Sequence, residues 1–219
     1  VVELLESPRG LEMSGELRDV TFLVSDLRGF SDLSLKLSPQ DVIRMVNCHL
    51  KHMVDTIEQY RGTINDFEGD AILVFFGAPL MADDDQPRAV ACAIEMQNRM
   101  MDVNTELEQL GLPELSMGIG INSGTVVVGN IGSEKRAQYS ALGSAINTAY
   151  RIESFTTGGQ ILIGPKVHEE LRSSVHVRDT FQVEFKGVDK PLVLYDIEGI
   201  DGEYSHSLSC NHPDILKKV

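Results

Sequence analysis

The chain has 219 residues, of which 42% are hydrophobic and 24% are charged, and its formal net charge is -14 at pH 7. This composition is ordinary for a soluble globular protein, and the length is enough for one domain with a full hydrophobic core. The excess of negative charge argues against binding to nucleic acid or to an anionic membrane surface. The sequence has no apolar run long enough to span a bilayer and no signal-peptide pattern. We therefore expect a cytoplasmic domain without direct membrane insertion, either alone or as the cytosolic part of a larger protein.

The two ends of the chain differ in composition from the middle. Residues 1–17 contain leucines and a Pro-Arg-Gly break, which fits a connector from an upstream region and a frayed terminus equally well. Residues 201–219 are rich in Ser, His and Asn and are expected to form a loosely ordered tail. One domain is therefore predicted at residues 18–200. The cysteines are an odd, widely spaced set that we expect to be reduced thiols: Cys48, Cys92 and Cys210.

The first predicted strand, residues 20–26, is an apolar run that ends in a carboxylate, Asp26. Gly29 then turns the chain into a helix, and the backbone N–H groups at a helix N-terminus are suited to holding a phosphate. A longer helix is predicted to begin near Ser38 and to end at Tyr60, because apolar residues recur there at steps of three and four. The sequence therefore puts an acid next to a candidate phosphate site.

Residues 63–77 are predicted to form a hairpin with Asp70 at its turn, since Gly69 separates two apolar segments. The second segment, residues 71–76, is apolar throughout, as is typical of a strand buried on both faces. An Asp in a turn is common for structural reasons, because its side chain hydrogen-bonds nearby backbone. If the first strand and the hairpin are neighbours in one sheet, however, two carboxylates come together. Mg²⁺ is usually held by one or two carboxylates together with substrate phosphates.

A second long helix, from about residue 84 to 110, is predicted from the same apolar spacing. Residues 122–124 (Asn-Ser-Gly) are predicted to turn a hairpin, and Ser144 is predicted to cap a helix that carries Asn147 and Arg151 on one face. The order strand, helix, strand, strand, helix, strand predicts an α+β fold, a ferredoxin-like βαββαβ sandwich with additional strands and helices. The remaining strands are expected at residues 115–121, 125–128, 137–142, 160–163, 175–185 and 192–197.

Four short segments carry the most distinctive residues of the chain. They are residues 25–31 (Ser-Asp-Leu-Arg-Gly-Phe-Ser), 67–72 (Phe-Glu-Gly-Asp-Ala-Ile), 118–124 (Gly-Ile-Gly-Ile-Asn-Ser-Gly) and 141–147 (Ala-Leu-Gly-Ser-Ala-Ile-Asn). In this order they resemble the successive signatures of the class III nucleotidyl cyclase catalytic domain, of bacterial type. Four signatures in the right order are far more specific than any one of them. The likeness runs from about residue 19 to about residue 199.

The resemblance implies that a purine nucleoside triphosphate is converted to its 3′,5′-cyclic nucleotide and pyrophosphate. The 3′-hydroxyl attacks the α-phosphorus of the same molecule. In the family, two Mg²⁺ ions, which Mn²⁺ can replace, assist this displacement. By resemblance they are held by Asp26, Asp70 and the carbonyl of Leu27.

The resemblance also implies a set of contacts with the triphosphate. The backbone of Arg28, Gly29 and Phe30, together with Ser31, would line the phosphates. Lys186 matches a family lysine that reaches the triphosphate, and a solvated lysine at a strand end is an equally good interpretation of it.

The helix that carries Asn147 and Arg151 is open to two interpretations. On spacing alone, the two side chains are one face of a solvated surface helix. By resemblance, Asn147 orients the ribose and Arg151 stabilises the transferring phosphate, a role that suits the permanently charged guanidinium fork. In this family the metal-binding acids come from one chain and the Asn and Arg from its partner. The expected assembly is therefore a two-fold homodimer with two shared active sites.

The choice of base is expected to depend on Asp66 and Ser140. Adenylyl cyclases commonly have Lys and then Asp or Thr at these positions, and guanylyl cyclases have Glu and then Cys or a small residue. The carboxylate of Asp66 cannot donate to adenine N1 but can accept from guanine N1–H and N2, whereas Ser140 fits either base. GTP is thus the favoured substrate, with ATP and an adenylyl cyclase as the alternative. Glu68, beside Asp70, is open to three interpretations: solvated, competing for metal, or a second acceptor at the base edge.

A different class of function remains as an alternative. A catalytically silent domain of the same fold would bind nucleotide and signal through the geometry of its dimer. The presence of both metal acids and of the Asn and Arg pair argues against it. A diguanylate cyclase is set aside, because the chain lacks the Gly-Gly-(Asp/Glu)-Glu-Phe turn.

Overall fold

A twisted β-sheet with helices against both faces forms the fold. The structure is a computed structural model and describes residues 15–133, 136–184 and 191–209. Its helices are α1 (Phe30–Ser34), α2 (Pro39–Gln59), α3 (Asp85–Gln109), α4 (Ser144–Ser154) and α5 (Pro165–Leu171). Its strands are β1 (Gly15–Leu27), β2 (Thr63–Glu68), β3 (Ala71–Phe76), β4 (Met117–Ser133), β5 (Arg136–Leu142), β6 (Ile161–Ile163), β7 (Val175–Val183), β8 (Leu192–Ile200) and β9 (His206–Ser207).

The first part of the chain confirms the predicted ferredoxin-like order. The elements β1, α2, β2, β3, α3 and β4 follow one another, and their strands are arranged β2-β3-β1-β4 in the sheet. The sheet continues through β6 and β8 to β7, while β5 pairs with β4 and β9 with β8. The pairing of β4 with β6 is parallel and the other pairings among the described strands are antiparallel.

One face of the sheet is covered by α2 and α3. The side chains that alternate along β1 divide between two cores, with Leu23 and Leu27 in the core under these helices and Phe22 and Val24 in the core of the opposite face. Helix α2 begins as predicted, since the side chain of Ser38 accepts a hydrogen bond from the N–H of Asp41 and Pro occupies the first turn. None of the helices within the described ranges combines the length and the apolar character needed to cross a bilayer.

The opposite face carries the shorter helix α4, which lies very close to β4. A Cβ atom at Gly120 would be 2.9 Å from the carbonyl oxygen of Ala149 and even closer to the backbone of Glu153, so a side chain at this position is excluded. The space that a Cβ atom at Gly118 would need is likewise occupied by the side chain of Thr156. The glycines of the segment Gly118 to Gly124 therefore allow the helix backbone to pack directly on the sheet.

Two local predictions in this region were wrong. Residues 122–124 lie inside β4 and pair with β1, so they form no hairpin turn. Their turn-forming residue types serve helix packing here: Asn122 donates to the carbonyl of Ala145 at 2.9 Å, and a Cβ at Gly124 would be 2.6 Å from that of Ala145. The N-cap of helix α4 is Gly143. Ser144 is the first residue of the helix, and its side chain makes no capping hydrogen bond.

Two elements extend into the segments expected to be a connector and a tail. Strand β1 begins at Gly15, and β9 lies at His206–Ser207, where it pairs with β8. Helix α5, which has Pro in its first turn, was not predicted. Residues 1–14 and 210–219 lie outside the described ranges.

Candidate active site

The two predicted metal acids lie at the same edge of the sheet. Strands β1 and β3 are antiparallel neighbours, with Ser25 opposite Ile72, which confirms the expected adjacency of the first strand and the hairpin. The backbone N–H of Leu27 donates to Asp70 Oδ2 at 3.3 Å. Asp26 precedes Leu27 on β1 and is half-buried, as is Asp70. The arrangement gives two carboxylates and a strand-end backbone at one shallow site.

The negative charges of the carboxylates at this edge are only partly offset by nearby positive charge. The pKa of Asp26 is raised to about 6, first by burial and then by the charge of Asp70 and a hydrogen bond with it, while the charge of Arg28 opposes the shift. Two carboxylates this close disfavour each other's ionised form. A divalent cation would remove that repulsion, and the all-oxygen donor set is the kind that Mg²⁺ and Mn²⁺ prefer.

The side chain of Arg28 makes contacts that the sequence did not indicate. Its guanidinium donates to Asp26 Oδ2 at 2.8 Å and also to Glu153 Oε1 on α4. Its backbone N–H donates to the carbonyl of Ser116 at 2.8 Å. The expected contact of the Arg28 backbone with the phosphates stays a prediction. The side chain ties a metal acid to the helix on that face.

Glu153 is a residue of the site that the sequence reasoning missed. The pKa of its carboxyl group is raised to about 7, mainly by burial and also by the charges of Asp26 and Asp70, while Arg28 opposes the shift. The position was concealed because an acid two residues after Arg151 looks like part of an exposed helix surface. The alternating glycines Gly118 and Gly120 were the available signal, since they mark where a helix backbone can approach a strand.

The turn after β1 places three further predicted residues beside the acids. Gly29 has a φ of 69°, a left-handed conformation that favours glycine, and is the N-cap of α1. The side chain of Phe30 is buried in the core beneath α2. Ser31 is exposed in the first turn of α1. Lys186 lies outside the described residues.

Asn147 and Arg151 lie on the exposed side of α4, one turn apart. The other side of the same helix is buried against the sheet through Ala145, Ala149 and Glu153. At 100° per residue, the exposed pair points nearly opposite to the buried set. The structure therefore does not bring Asn147 and Arg151 to the carboxylates of their own chain.

The two residues expected to read the base belong to strands that touch each other. The side-chain amide of Asn65, next to Asp66, donates to the carbonyl of Tyr139 at 2.7 Å, and Gln138 donates to the carbonyl of Asn65 at 3.1 Å. Ser140 follows directly on β5 and is half-buried, whereas Asp66 is exposed after a bulge in β2. The two predicted base contacts therefore lie in adjoining segments of one chain.

Glu68 has a partner that the sequence did not indicate. The hydroxyl of Tyr150 donates to Glu68 Oε1 at 3.0 Å, which links the end of β2 to α4 between Asn147 and Arg151. Burial, followed by the bond to Glu68, raises the pKa of Tyr150. The tyrosine therefore remains a hydrogen-bond donor at neutral pH.

Comparison with known proteins identifies the family. The family model described as the adenylate and guanylate cyclase catalytic domain matches residues 13–199. The chain belongs to this family. The resemblance and the fold expected from the sequence are confirmed, and the described sheet and helices are those of a cyclase catalytic domain.

Solved structures of a guanylyl cyclase and of an adenylyl cyclase resemble this domain. The guanylyl cyclase Cya2 is 49% identical with a TM-score of 0.87, and the match covers 90% of this chain and 100% of that one. The adenylyl cyclase CyaB from P. aeruginosa is 31% identical with a TM-score of 0.82, covering 89% and 100% of the two chains.

Curated relatives are longer than this cyclase domain. The adenylate cyclase of Anabaena cylindrica is 32% identical over 206 residues, which are 88% of this chain and 40% of the relative. Adenylate cyclase 1 of Rhizobium meliloti (strain 1021) is 29% identical over 185 residues, which are 84% of this chain and 28% of the relative. The chain thus spans less than half the length of these relatives.

Proposed function

We propose that two copies of this cyclase domain form a two-fold dimer that converts GTP to cyclic GMP and pyrophosphate at two shared sites. The observation that carries the proposal is the orientation of α4, which turns Asn147 and Arg151 away from Asp26 and Asp70 of the same chain. Each chain therefore has the two halves of a site facing different ways. A two-fold related copy would present its exposed helix face to the acids of the first.

An exposed apolar row supports self-association. Leu17, Val127 and Leu142 are register neighbours across β1, β4 and β5, and they are 76%, 39% and 60% exposed. Contiguous apolar side chains on a surface mark sites of protein contact more often than isolated ones do. A partner chain that covers this row would offset the cost of leaving it in water.

The metal half of the proposed site consists of Asp26, Asp70 and the carbonyl of Leu27. These oxygens would hold two Mg²⁺ ions, with Mn²⁺ as a substitute. When bound, the ions would lower the pKa of the attacking hydroxyl and neutralise charge on the triphosphate. The ion pair of Arg28 with Asp26 and Glu153 orients one carboxylate against the helix, so that its oxygens are fixed before substrate arrives.

The partner's half of the proposed site handles the sugar and the transferring phosphate. The 3′-oxygen forms a bond to the α-phosphorus, and the bond to pyrophosphate breaks. The amide of Asn147 would orient the ribose, and the guanidinium of Arg151 would bind the oxygens on which charge develops. The backbone of Arg28, Gly29 and Phe30 and the hydroxyl of Ser31 remain the proposed phosphate contacts, with Lys186 reaching the triphosphate.

The preference for GTP is proposed from Asp66. Its exposed carboxylate already accepts the N–H of Phe67 at 2.9 Å and has further lone pairs for guanine N1–H and the N2 amino group. Ser140 would donate to guanine O6. The resemblance to a protein named as a guanylyl cyclase, at 49% identity, supports this choice. ATP is the second candidate, because Ser140 also fits adenine N6 and other relatives are named as adenylate cyclases.

The test is direct quantification of both products. The purified chain is incubated with GTP and, separately, with ATP, first with Mg²⁺ and then with Mn²⁺. We expect cyclic GMP in large excess, and we expect Asp66→Ala to reduce the GTP-to-ATP ratio while Asp55→Ala, an exposed acid on α2, leaves it unchanged. Cyclic AMP in excess would assign ATP. Neither product from a folded dimer would favour the silent nucleotide-binding domain.

A further inference from the structure

We infer that this protein has a second metal site, for a zinc-like divalent cation, formed by Cys48, His52 and Glu106 between α2 and α3. One ligand atom from each of these side chains lies within 4.8 Å of the others. Cys48 and His52 are one turn apart on α2, so both point to the same side of the helix. Glu106 faces them from α3. The cluster is separate from the cyclase site, which lies at the edge of the sheet.

The donor types distinguish this cluster from the acidic site. A thiolate, an imidazole and a carboxylate are ligands that Zn²⁺ accepts together in tetrahedral geometry. Mg²⁺ takes oxygen ligands only. His52 Nε2 is 3.1 Å from Glu106 Oε2, which is close to the spacing of two ligands on one ion. The ligand set therefore selects a softer cation than the one proposed for catalysis.

The three side chains lie at different depths, with Cys48 the most buried and Glu106 the most exposed. Cys48 is buried, the His52 side chain is 19% exposed, and the Glu106 side chain is 38% exposed. An open groove lined by Glu106, Lys51 and Asp102 adjoins the cluster on its outer side. An ion held by the three protein ligands would keep its fourth position toward this groove and would carry a water molecule there.

The charges around the cluster show what a cation would replace. Glu106 accepts a hydrogen bond from the Lys51 ammonium at 3.3 Å as well as contacting His52. Burial and the charge of Glu106 raise the pKa of the Cys48 thiol, so the sulfur is protonated without metal. On binding, a metal–sulfur bond forms, the S–H bond breaks and the proton passes to solvent. Lys51, with a side chain 62% exposed, can withdraw into water.

Cobalt provides the decisive probe, because Co²⁺ bound to a thiolate gives a near-ultraviolet charge-transfer band that oxygen ligands do not give. Co²⁺ at Asp26 and Asp70 is therefore silent in this assay. Titration of the full chain with Co²⁺ should produce the band, and added Zn²⁺ should remove it. Cys48→Ser should abolish it. Cys92→Ser and Cys210→Ser are the matched controls and should retain it, since Cys92 is a buried thiol elsewhere on α3.

Variants at less buried positions guard against misfolding of the cysteine variant. His52→Ala and Glu106→Gln should each weaken Co²⁺ binding by more than about 10-fold. Glu108→Gln, an exposed acid two residues further along α3, should not change it. Lys51→Ala should strengthen binding, because the competing ammonium is gone. The inference is overturned if wild type shows no band, if the band survives Cys48→Ser, or if it depends on Cys210.

Discussion

The two faces of the sheet have different tasks. The face under α2 and α3 is a closed apolar core in which Leu23, Ile72 and Phe76 are fully buried. The face under α4 is covered by a short helix through small residues such as Ala145 and Ala149, and its edge is charged. Both faces contribute buried core, but only the second has a charged edge that is open to solvent. Changes to the exposed charged residues at the edge of the second face should alter activity with little effect on stability, and changes in the core of the first face should do the reverse.

Asp70→Asn should have the largest effect on activity. The amide oxygen can still accept the N–H of Leu27, so the hairpin should keep its place, but the proposed metal ligand loses its charge. We expect turnover to fall by at least about 10³-fold, since a metal ion contributes several kcal/mol of transition-state stabilisation. Urea unfolding should be unchanged. Asp55→Asn on α2 is the control, and near-normal activity in Asp70→Asn would refute the metal assignment.

Arg151→Ala should reduce kcat by about 10² to 10³, the usual cost of one transition-state donor. Arg172→Ala, which changes an exposed arginine at the end of α5, should have a kcat close to that of wild type.

Mixing Arg151→Ala with Asp70→Asn tests the shared site. About a quarter of wild-type activity should return, since half of the dimers are mixed and each contains one of two sites intact. If no activity returns from mixed dimers, both halves of the site belong to one chain.

His49, on α2, tests the closed face. Burial lowers its pKa to about 4, and neither ring nitrogen has a hydrogen-bond partner within the described ranges. The unfolded chain takes up the proton below about pH 6.5 and the folded chain does not, so the stability contributed by the neutral ring is lost as the pH falls from about 6.5 to 4. Between pH 7 and pH 5 the loss should be about 2 kcal/mol.

The measurement is urea unfolding of wild type and His49→Leu at both pH values. Asp26 and Glu153 have raised pKa values and shift stability in the opposite direction, but they are common to both proteins. The difference between the two proteins therefore isolates the histidine. His49→Leu should lose about 2 kcal/mol less than wild type on acidification, with kcat at pH 7 unchanged. Equal acid sensitivity in the two proteins would contradict the assignment.

The sequence predicted the parts of the fold that follow from local pattern. Two apolar runs, one ending at Asp26 and one beginning after Asp70, predicted two strands that are neighbours in the sheet. Ser38 correctly predicted the start of α2. The hairpin turn predicted at residues 122–124 was wrong because turn propensity is a local property. The place of these residues in β4 depends on contact with a helix more than twenty positions away in the chain.

The candidate site was proposed for the same reasons and within the same limits. Asp26 and Asp70 were proposed from strand ends, and Asn147 and Arg151 from spacing combined with resemblance; their roles stay predictions. The ion pair of Arg28 with Glu153 was not predicted, because it joins residues 125 positions apart whose approach depends on how α4 packs on glycine. Such contacts are set by tertiary packing and have no periodic signature.

Tyr150→Phe should have the smallest effect, and it tests how the charged edge is held in place. The variant removes the hydrogen bond between α4 and Glu68, so the helix that carries Asn147 and Arg151 loses one of its links to β2. We expect kcat to fall by about 3- to 10-fold, with little change in unfolding, because one partly exposed hydrogen bond contributes about 1 kcal/mol. Tyr60→Phe, at the end of α2, is the matched control and should have wild-type kcat.

A double-mutant cycle separates positioning from simple loss of structure. Glu68→Gln keeps an acceptor for the tyrosine hydroxyl and should retain most of the activity, whereas Glu68→Ala should match Tyr150→Phe. In the Glu68→Ala background, Tyr150→Phe should cost nothing further, because the two side chains act through one bond. Additive losses in kcat would mean that the tyrosine acts independently of Glu68, and a loss confined to KM would mean that it contacts the nucleotide without orienting the catalytic helix.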